Sequence, residues 1–157
     1  MKKALNRKIS AASVILLIIT GLWIAFIWFH SAFNAETSGA ESNFILDFLN
    51  NLLKSLGLSY EFTSHIIRKS AHFCEFAMLG FLSLWTARSF KKCIFKNLMP
   101  VGFVCLFTAV SDEYLQLYIP GRAGMVEDVV LDFCGALAGV LFLVLIVAIK
   151  SLFKRGK

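Results

Sequence analysis

Residues 9–33 read ISAASVILLIITGLWIAFIWFHSAF, and no charged residue lies between Lys8 and Glu36. A helix of about 20 apolar residues crosses the roughly 30 Å hydrocarbon core of a membrane, so this stretch predicts a spanning helix. It is longer than the apolar core of about 7–15 residues in a cleaved signal peptide. We therefore interpret it as a membrane anchor.

Three more apolar stretches follow, at about residues 68–87, 97–119 and 128–149. The overall composition agrees with them, since 58% of the residues are hydrophobic and the mean hydropathy is +0.73. Soluble domains contain roughly 45–50% apolar residues. We therefore predict an all-α, polytopic membrane protein, in which residues 1–157 form one domain folded as a four-helix transmembrane bundle.

Basic and acidic residues lie on opposite sides of the predicted spans. Three regions contain basic residues and no acid, namely residues 1–8, 88–96 and 150–157. All 10 Asp and Glu residues lie in the other two connections or in the helix ends that adjoin them. The positive-inside rule then predicts that both termini and the middle loop are cytoplasmic. The net charge of +6 reflects this topology and contact with anionic lipids, so it does not indicate a nucleic acid partner.

The longest connection contains an amphipathic stretch at about residues 43–57. Leu49, Leu52, Leu53 and Leu56 recur there at helical spacing, and Gly57 can end the helix. The stretch is too short to span a membrane. We predict a helix on the outer leaflet, acting either as a connector packed on the bundle or as a lid over a site.

Polar residues of the spans gather near their predicted outer ends. They are Lys69, His72 and Glu75 on the second span, Asp112, Glu113 and Gln116 on the third, Arg122 in the following turn, and Asp128 and Asp132 on the fourth. A charged group in a spanning helix costs about 2.5–3.5 kcal/mol on insertion scales. Gly135 and Gly139 allow a neighbouring helix to approach the fourth span closely, so we expect the acids to face the bundle and to share one pocket.

The pocket contains more acids than bases, so it favours a proton, a cationic group or a divalent metal ion. The metal candidates are His72, Glu75, Asp112 and Asp132, and the same four with Glu113 are the candidates for catalysis. The candidates for ligand binding are Lys69, Gln116, Arg122 and Asp128. The alternative for Glu113, Glu127 and Asp128 is that they lie in water at helix ends.

These residues also form a recognisable pattern over about residues 64–140. The motifs are RKSAHFCEF (68–76) with Leu79-Gly80, SDEYLQ (111–116), Pro120-Gly121-Arg122, and EDVVLD (127–132) with Gly135. In their order and spacing the chain resembles the VanZ family, named for a teicoplanin-resistance accessory protein of Gram-positive bacteria. The resemblance implies a protein of the bacterial cytoplasmic membrane and cell envelope, and it supplies candidate site residues without a reaction.

Three functions remain open from the sequence. The first is a membrane accessory protein that engages a glycopeptide antibiotic, a membrane lipid or a lipid-linked wall precursor. The second is a metal-dependent hydrolase or transferase acting on lipid headgroups, with the acids and His72 as metal ligands and base. The third is a proton- or cation-coupled transporter, since buried acids also serve as relays. The cytoplasmic ends of the spans lack a matching polar track, which disfavours the third.

Overall fold

The computed structural model describes residues 10–32, 46–57, 62–90, 93–122 and 124–155. The helices in these ranges are α1 (Ala11–Ser31), α2 (residues 46–55), α3 (Ser64–Phe90), α4 (Phe95–Gln116) and α5 (Val126–Arg155). No strand occurs in the described ranges. The predicted all-α class is therefore confirmed.

Three of the described helices are long and apolar enough to cross a membrane, namely Ala11–Ser31, Phe95–Gln116 and Val126–Lys154. They mark the chain as a membrane protein. Helix α3 has 27 residues, which is long enough, but it is not one of these three. Its apolar run is interrupted by polar groups that include His72 and Glu75.

Side-chain contacts show that the long helices run alternately up and down. The Ser13 hydroxyl donates to the Ser89 carbonyl oxygen (3.3 Å), so α1 begins where α3 ends. At the other end of the bundle, the Ser31 hydroxyl donates to Asp112 Oδ2 (2.7 Å), so α1 and α4 end together. Helices α3 and α5 begin there as well, because Lys69 near the start of α3 pairs with Asp128 near the start of α5. The backbone N–H of Met125, just before α5, also donates to Glu113 near the end of α4. We call this the polar end.

Helices α3 and α5 lie so close together that their glycines cannot carry a side chain. A Cβ atom on Gly139 would overlap the carbonyl oxygen of Ala77, and one on Gly80 would overlap that of Ala136. A Cβ on Gly135 would lie 2.5 Å from the Phe73 carbonyl oxygen. The close approach predicted from Gly135 and Gly139 is confirmed, and it fixes α5 against the middle of α3.

The interior of the bundle combines an apolar core with buried polar contacts, of which the layer of Thr20 and Thr86 is one. The core cluster is Ile27, Phe76, Leu79, Leu84, Val101, Cys105, Ala109, Ala136 and Leu143. In the layer, the hydroxyl oxygens of Thr20 and Thr86 lie 2.8 Å apart and link α1 to α3. Large apolar side chains such as Leu22 and Phe103 instead face outward, as expected of surfaces that contact lipid tails.

Several boundaries differ from the predicted spans of 9–33, 68–87, 97–119 and 128–149. Residues 9 and 33 lie outside the described residues. Helix α3 begins at Ser64 rather than residue 68. The predicted span covered only the apolar run, whereas the helical backbone also includes the polar residues before it. Helix α5 extends to Arg155 for the same reason, since basic residues suit a helix C-terminus. Helix α4 ends at Gln116, earlier than predicted, and Gly121 follows with a φ of 79° that no helix allows.

The predicted amphipathic helix at about 43–57 corresponds to α2, and its residues 43–45 lie outside the described part. Gly57 adopts a φ of 74° just after the helix, as predicted for its end. Asn50 Oδ1 accepts from the backbone N–H of Phe62 (2.8 Å), which ties α2 to the start of α3. Phe48, Leu52 and Leu56 are exposed, in agreement with a helix that lies on a membrane surface.

Candidate functional site

Three polar residues of α3 fan out toward three different helices. A step of three residues turns an α-helix by about 60° short of a full rotation, so Lys69, His72 and Glu75 each face a different neighbour. Lys69 Nζ lies 2.6 Å from Asp128 Oδ1 on α5. Glu75 Oε1 lies 2.8 Å from His30 Nδ1 on α1. His72 lies between these two pairs.

His72 meets two buried carboxylates from the other helices. One ligand atom each from His72, Asp112 on α4 and Asp132 on α5 lie within 4.8 Å of one another. Asp112 is 0% exposed and Asp132 is 1% exposed. We call these three residues the floor cluster. Histidine nitrogen and carboxylate oxygen are both metal ligands, so the floor cluster is where the described residues could hold a metal.

Hydrogen bonds fix the two acids of α4. Asp112 Oδ2 accepts from the hydroxyl of Ser31 (2.7 Å) and from Gln116 Nε2 (3.1 Å). Gln116 Nε2 also donates to Glu113 Oε1 (3.1 Å), while Glu113 Oε2 accepts from the backbone N–H of Met125 (2.9 Å). Glu113 therefore holds the start of α5 against the end of α4, which is a structural contact.

A cavity of about 230 Å³ opens beside the floor cluster at the polar end. It is lined by His65, Arg68, Lys69, His72, Glu113, Gln116, Gly121, Arg122, Met125, Asp128, Leu131 and Asp132. Two members of the floor cluster, His72 and Asp132, therefore lie in the wall of the cavity. Arg68 and Lys69 precede His72 by about one helical turn, so basic groups lie nearer the open end of the helices and the floor cluster lies deeper.

Arg122 in the α4–α5 turn is a half-buried cation beside a second one. Burial lowers the pKa of Arg122 below its usual value, and the positive charge of Arg68 lowers it further. Among the described residues, neither guanidinium forms an ion pair with a carboxylate. The charges of Asp112, Glu113 and Glu75 act on Arg122 in the opposite sense, raising its pKa, but in the described part of the chain none of them forms an ion pair with it. Arginine stays protonated at neutral pH, so Arg68 and Arg122 form a positive rim without an ion-pair partner in the described ranges.

The structure shows which of the predicted acids have a basic partner and which line the cavity. Lys69 is paired with Asp128, so Asp128 adds no free negative charge to the cavity, while Glu75 contacts His30 and does not line the cavity. The acids that lack a basic partner among the described residues near the cavity are therefore Glu113 and the two aspartates of the floor cluster. Glu75, predicted as a ligand alongside His72, faces α1 instead and lies outside that cluster.

Sequence reasoning did not select His30, Ser31 and His65, which complete the surroundings of the site. His30 and Ser31 bond to Glu75 and Asp112, and His65 lines the cavity. The available signal was a pair of polar residues in the last turn of an otherwise apolar span. Such a pair faces the interior when a neighbouring helix offers acids at the same depth.

The family model described as VanZ/LLP1 matches residues 16–147. These residues include the floor cluster, the positive rim and parts of all four long helices. No curated protein and no solved structure matches the chain significantly.

Proposed function

Since the chain belongs to the VanZ/LLP1 family of envelope proteins, we propose that its cavity binds the phosphate-bearing headgroup of a membrane lipid or lipid-linked wall precursor. The proposal includes a bacterial cytoplasmic membrane, α3 as a fourth span and cytoplasmic termini. Among the described residues, Arg88 lies in the last turn of α3, Lys96 in the first turn of α4 and Lys150 near the end of α5, all at the end of the bundle opposite the cavity. The positive-inside rule then supports an extracytoplasmic position for the cavity.

The observation that carries this proposal is the positive rim formed by Arg68 and Arg122. Two guanidinium groups that share one cavity repel each other. An anion between them removes this repulsion and satisfies their hydrogen-bond donors. A planar guanidinium group can donate two parallel hydrogen bonds to two oxygens of one phosphate. We therefore take a phosphate group to be the anion that this rim recognises.

The size of the cavity selects a headgroup rather than a complete antibiotic. Pockets for drug-sized ligands measure about 300–1,000 Å³, whereas this cavity measures about 230 Å³. A phosphate or diphosphate group fits such a space while its hydrocarbon chain stays in the membrane. A whole glycopeptide does not fit, so we place the effect of the site on the precursor and not on the drug.

Replacing Arg122 by glutamine tests the rim. A hydrogen bond to a charged group contributes about 1.5–3 kcal/mol, so we expect the Kd for a short polyprenyl diphosphate to rise about tenfold or more. The measurement is isothermal titration calorimetry of the full chain in detergent micelles. Arg88→Gln is the matched control, because Arg88 is also half-buried but lies at the last turn of α3, at the other end of the bundle.

Two outcomes of that titration would contradict headgroup binding. One is equal affinity for polyprenyl diphosphate and for the phosphate-free polyprenol. The other is the same Kd for Arg122→Gln and Arg88→Gln. A titration with a phosphatidylglycerol of short chain length separates an ordinary lipid from a wall precursor as the source of the phosphate. Titration with teicoplanin itself separates binding of the precursor from binding of the antibiotic.

In cells, a protein that occupies the precursor headgroup changes how a glycopeptide meets its target at the outer leaflet. We expect expression of the chain in a susceptible Gram-positive host to raise the inhibitory concentration of teicoplanin. Arg122→Gln should abolish this rise, while Arg88→Gln should retain it at equal membrane levels of protein. An equal rise with both variants would show that the rim is not responsible.

A further inference from the structure

Several buried polar atoms of the floor cluster have no hydrogen-bond partner among the described residues. They are Oδ1 and Oδ2 of Asp132, Oδ1 of Asp112 and Nδ1 of His72. Asp132 is 1% exposed, and burying a polar group without a partner costs about 1–3 kcal/mol, more for a charged one. A cation bound to both oxygens of Asp132 would remove this cost, so we expect a cationic partner there.

From this convergence we infer that His72, Asp112 and Asp132 bind a divalent metal ion at the floor of the cavity. Each residue comes from a different helix, and their ligand atoms lie within 4.8 Å of one another. A metal with ligand distances of about 2.0–2.2 Å joins such atoms after small side-chain rotations. The ion neutralises the two carboxylates that no described base pairs with.

The surroundings of Asp112 resemble the support that metal ligands receive in proteins. Ser31 and Gln116 both donate to Asp112 Oδ2, which leaves Oδ1 as the oxygen without a donor. Hydrogen bonds of this kind orient a ligating carboxylate and tune the metal. The tertiary structure thus holds one oxygen of Asp112 in place and leaves the other available to the ion.

The ligand types narrow the choice of metal. Imidazole nitrogen suits zinc and other transition metals, and carboxylate oxygen suits manganese and magnesium. One histidine with two aspartates therefore fits Zn²⁺ or Mn²⁺. Three protein ligands leave coordination positions open, and His72 and Asp132 line the cavity. An ion bound here can also coordinate an oxygen of a phosphate held by the rim.

The test uses metal alone, so it does not depend on the proposed headgroup binding. The full chain in detergent micelles is stripped with a chelator, and Zn²⁺ or Mn²⁺ is titrated by calorimetry or by equilibrium dialysis with elemental analysis. We expect one ion per chain. Asp132→Asn and His72→Gln should weaken binding at least tenfold, and Ser31→Ala should weaken it about 10–100-fold, as for other supporting residues.

Glu127→Gln is the matched control, because Glu127 is an exposed acid five residues before Asp132 on α5, and the variant should bind metal as the unmodified chain does. Circular dichroism and size exclusion establish which variants are folded. Ser31→Ala keeps every ligand, so it decides the outcome should Asp132→Asn fail to fold. The inference is overturned by absent binding of both metals to the unmodified chain. It is also overturned if Ser31→Ala binds the metal as tightly as Glu127→Gln does. A folded Asp132→Asn that binds the metal as tightly as Glu127→Gln overturns it as well.

Discussion

Replacing Gly139 by alanine should destabilise the bundle by about 1–3 kcal/mol or more, the usual cost of overpacking a well-packed interior. The added methyl group would overlap the backbone carbonyl of Ala77, and a backbone atom cannot rotate away as a side chain can. Helices α3 and α5 would have to separate along their whole contact. Gly139→Leu should therefore leave no folded monomer.

Gly21→Ala provides a control with the opposite expected sign. Nothing lies within 4 Å of a Cβ added to Gly21 on α1. Alanine in a helix interior is more favourable than glycine by roughly 0.5–1 kcal/mol, so Gly21→Ala should raise the unfolding midpoint slightly. Thermal unfolding in detergent, followed by circular dichroism, compares the two variants. Equal midpoints would refute the close contact between α3 and α5.

Labelling of introduced cysteines should give an all-or-none pattern across the membrane. In a variant without native cysteines, a membrane-impermeant maleimide applied to intact cells should modify Ser55→Cys and Glu127→Cys. It should modify Lys96→Cys and Ser151→Cys only after the cells are permeabilised. All four positions are exposed, so the difference reports the side of the membrane and follows from the positive-inside rule.

The same experiment decides whether α3 crosses the membrane. Ser55 precedes α3 and Lys96 follows it, so opposite labelling of these two positions requires an odd number of crossings between them. Labelling of both in intact cells would place α3 on the outer surface and would refute the four-span arrangement. The native cysteines to be replaced are Cys74, Cys93, Cys105 and Cys134.

Much of the fold follows from the sequence because membrane crossing depends on local properties. The run at residues 9–33 indicated α1 from length and lack of charge alone, and the pair Gly135 and Gly139 indicated a close helix contact. Helix α3 was harder to place, since the polar groups that build the site also lower its apolar character. Its first turn, which begins at Ser64, therefore lay outside the predicted span.

The sequence predicted at which depth in the membrane the site residues lie, but not which of them contact each other. Lys69, His72 and Glu75 all lie in the first half of α3, and the sequence alone grouped them on one face. Their separate partners depend on how α1, α4 and α5 surround α3, which no local pattern encodes. Lys69 pairs with Asp128 and Glu75 lies outside the cavity lining, so the count of acids overstated the negative character of the cavity.

The different directions of Lys69, His72 and Glu75 on α3 also limit how the chain can change in evolution. One residue inserted or deleted between Lys69 and Glu75 would turn the two parts of the helix by about 100° relative to each other. Such a change would remove at least one of the three contacts at once, whereas a substitution affects one position. Homologous chains should therefore tolerate length variation in the connection around α2 but keep an invariant spacing across these seven residues.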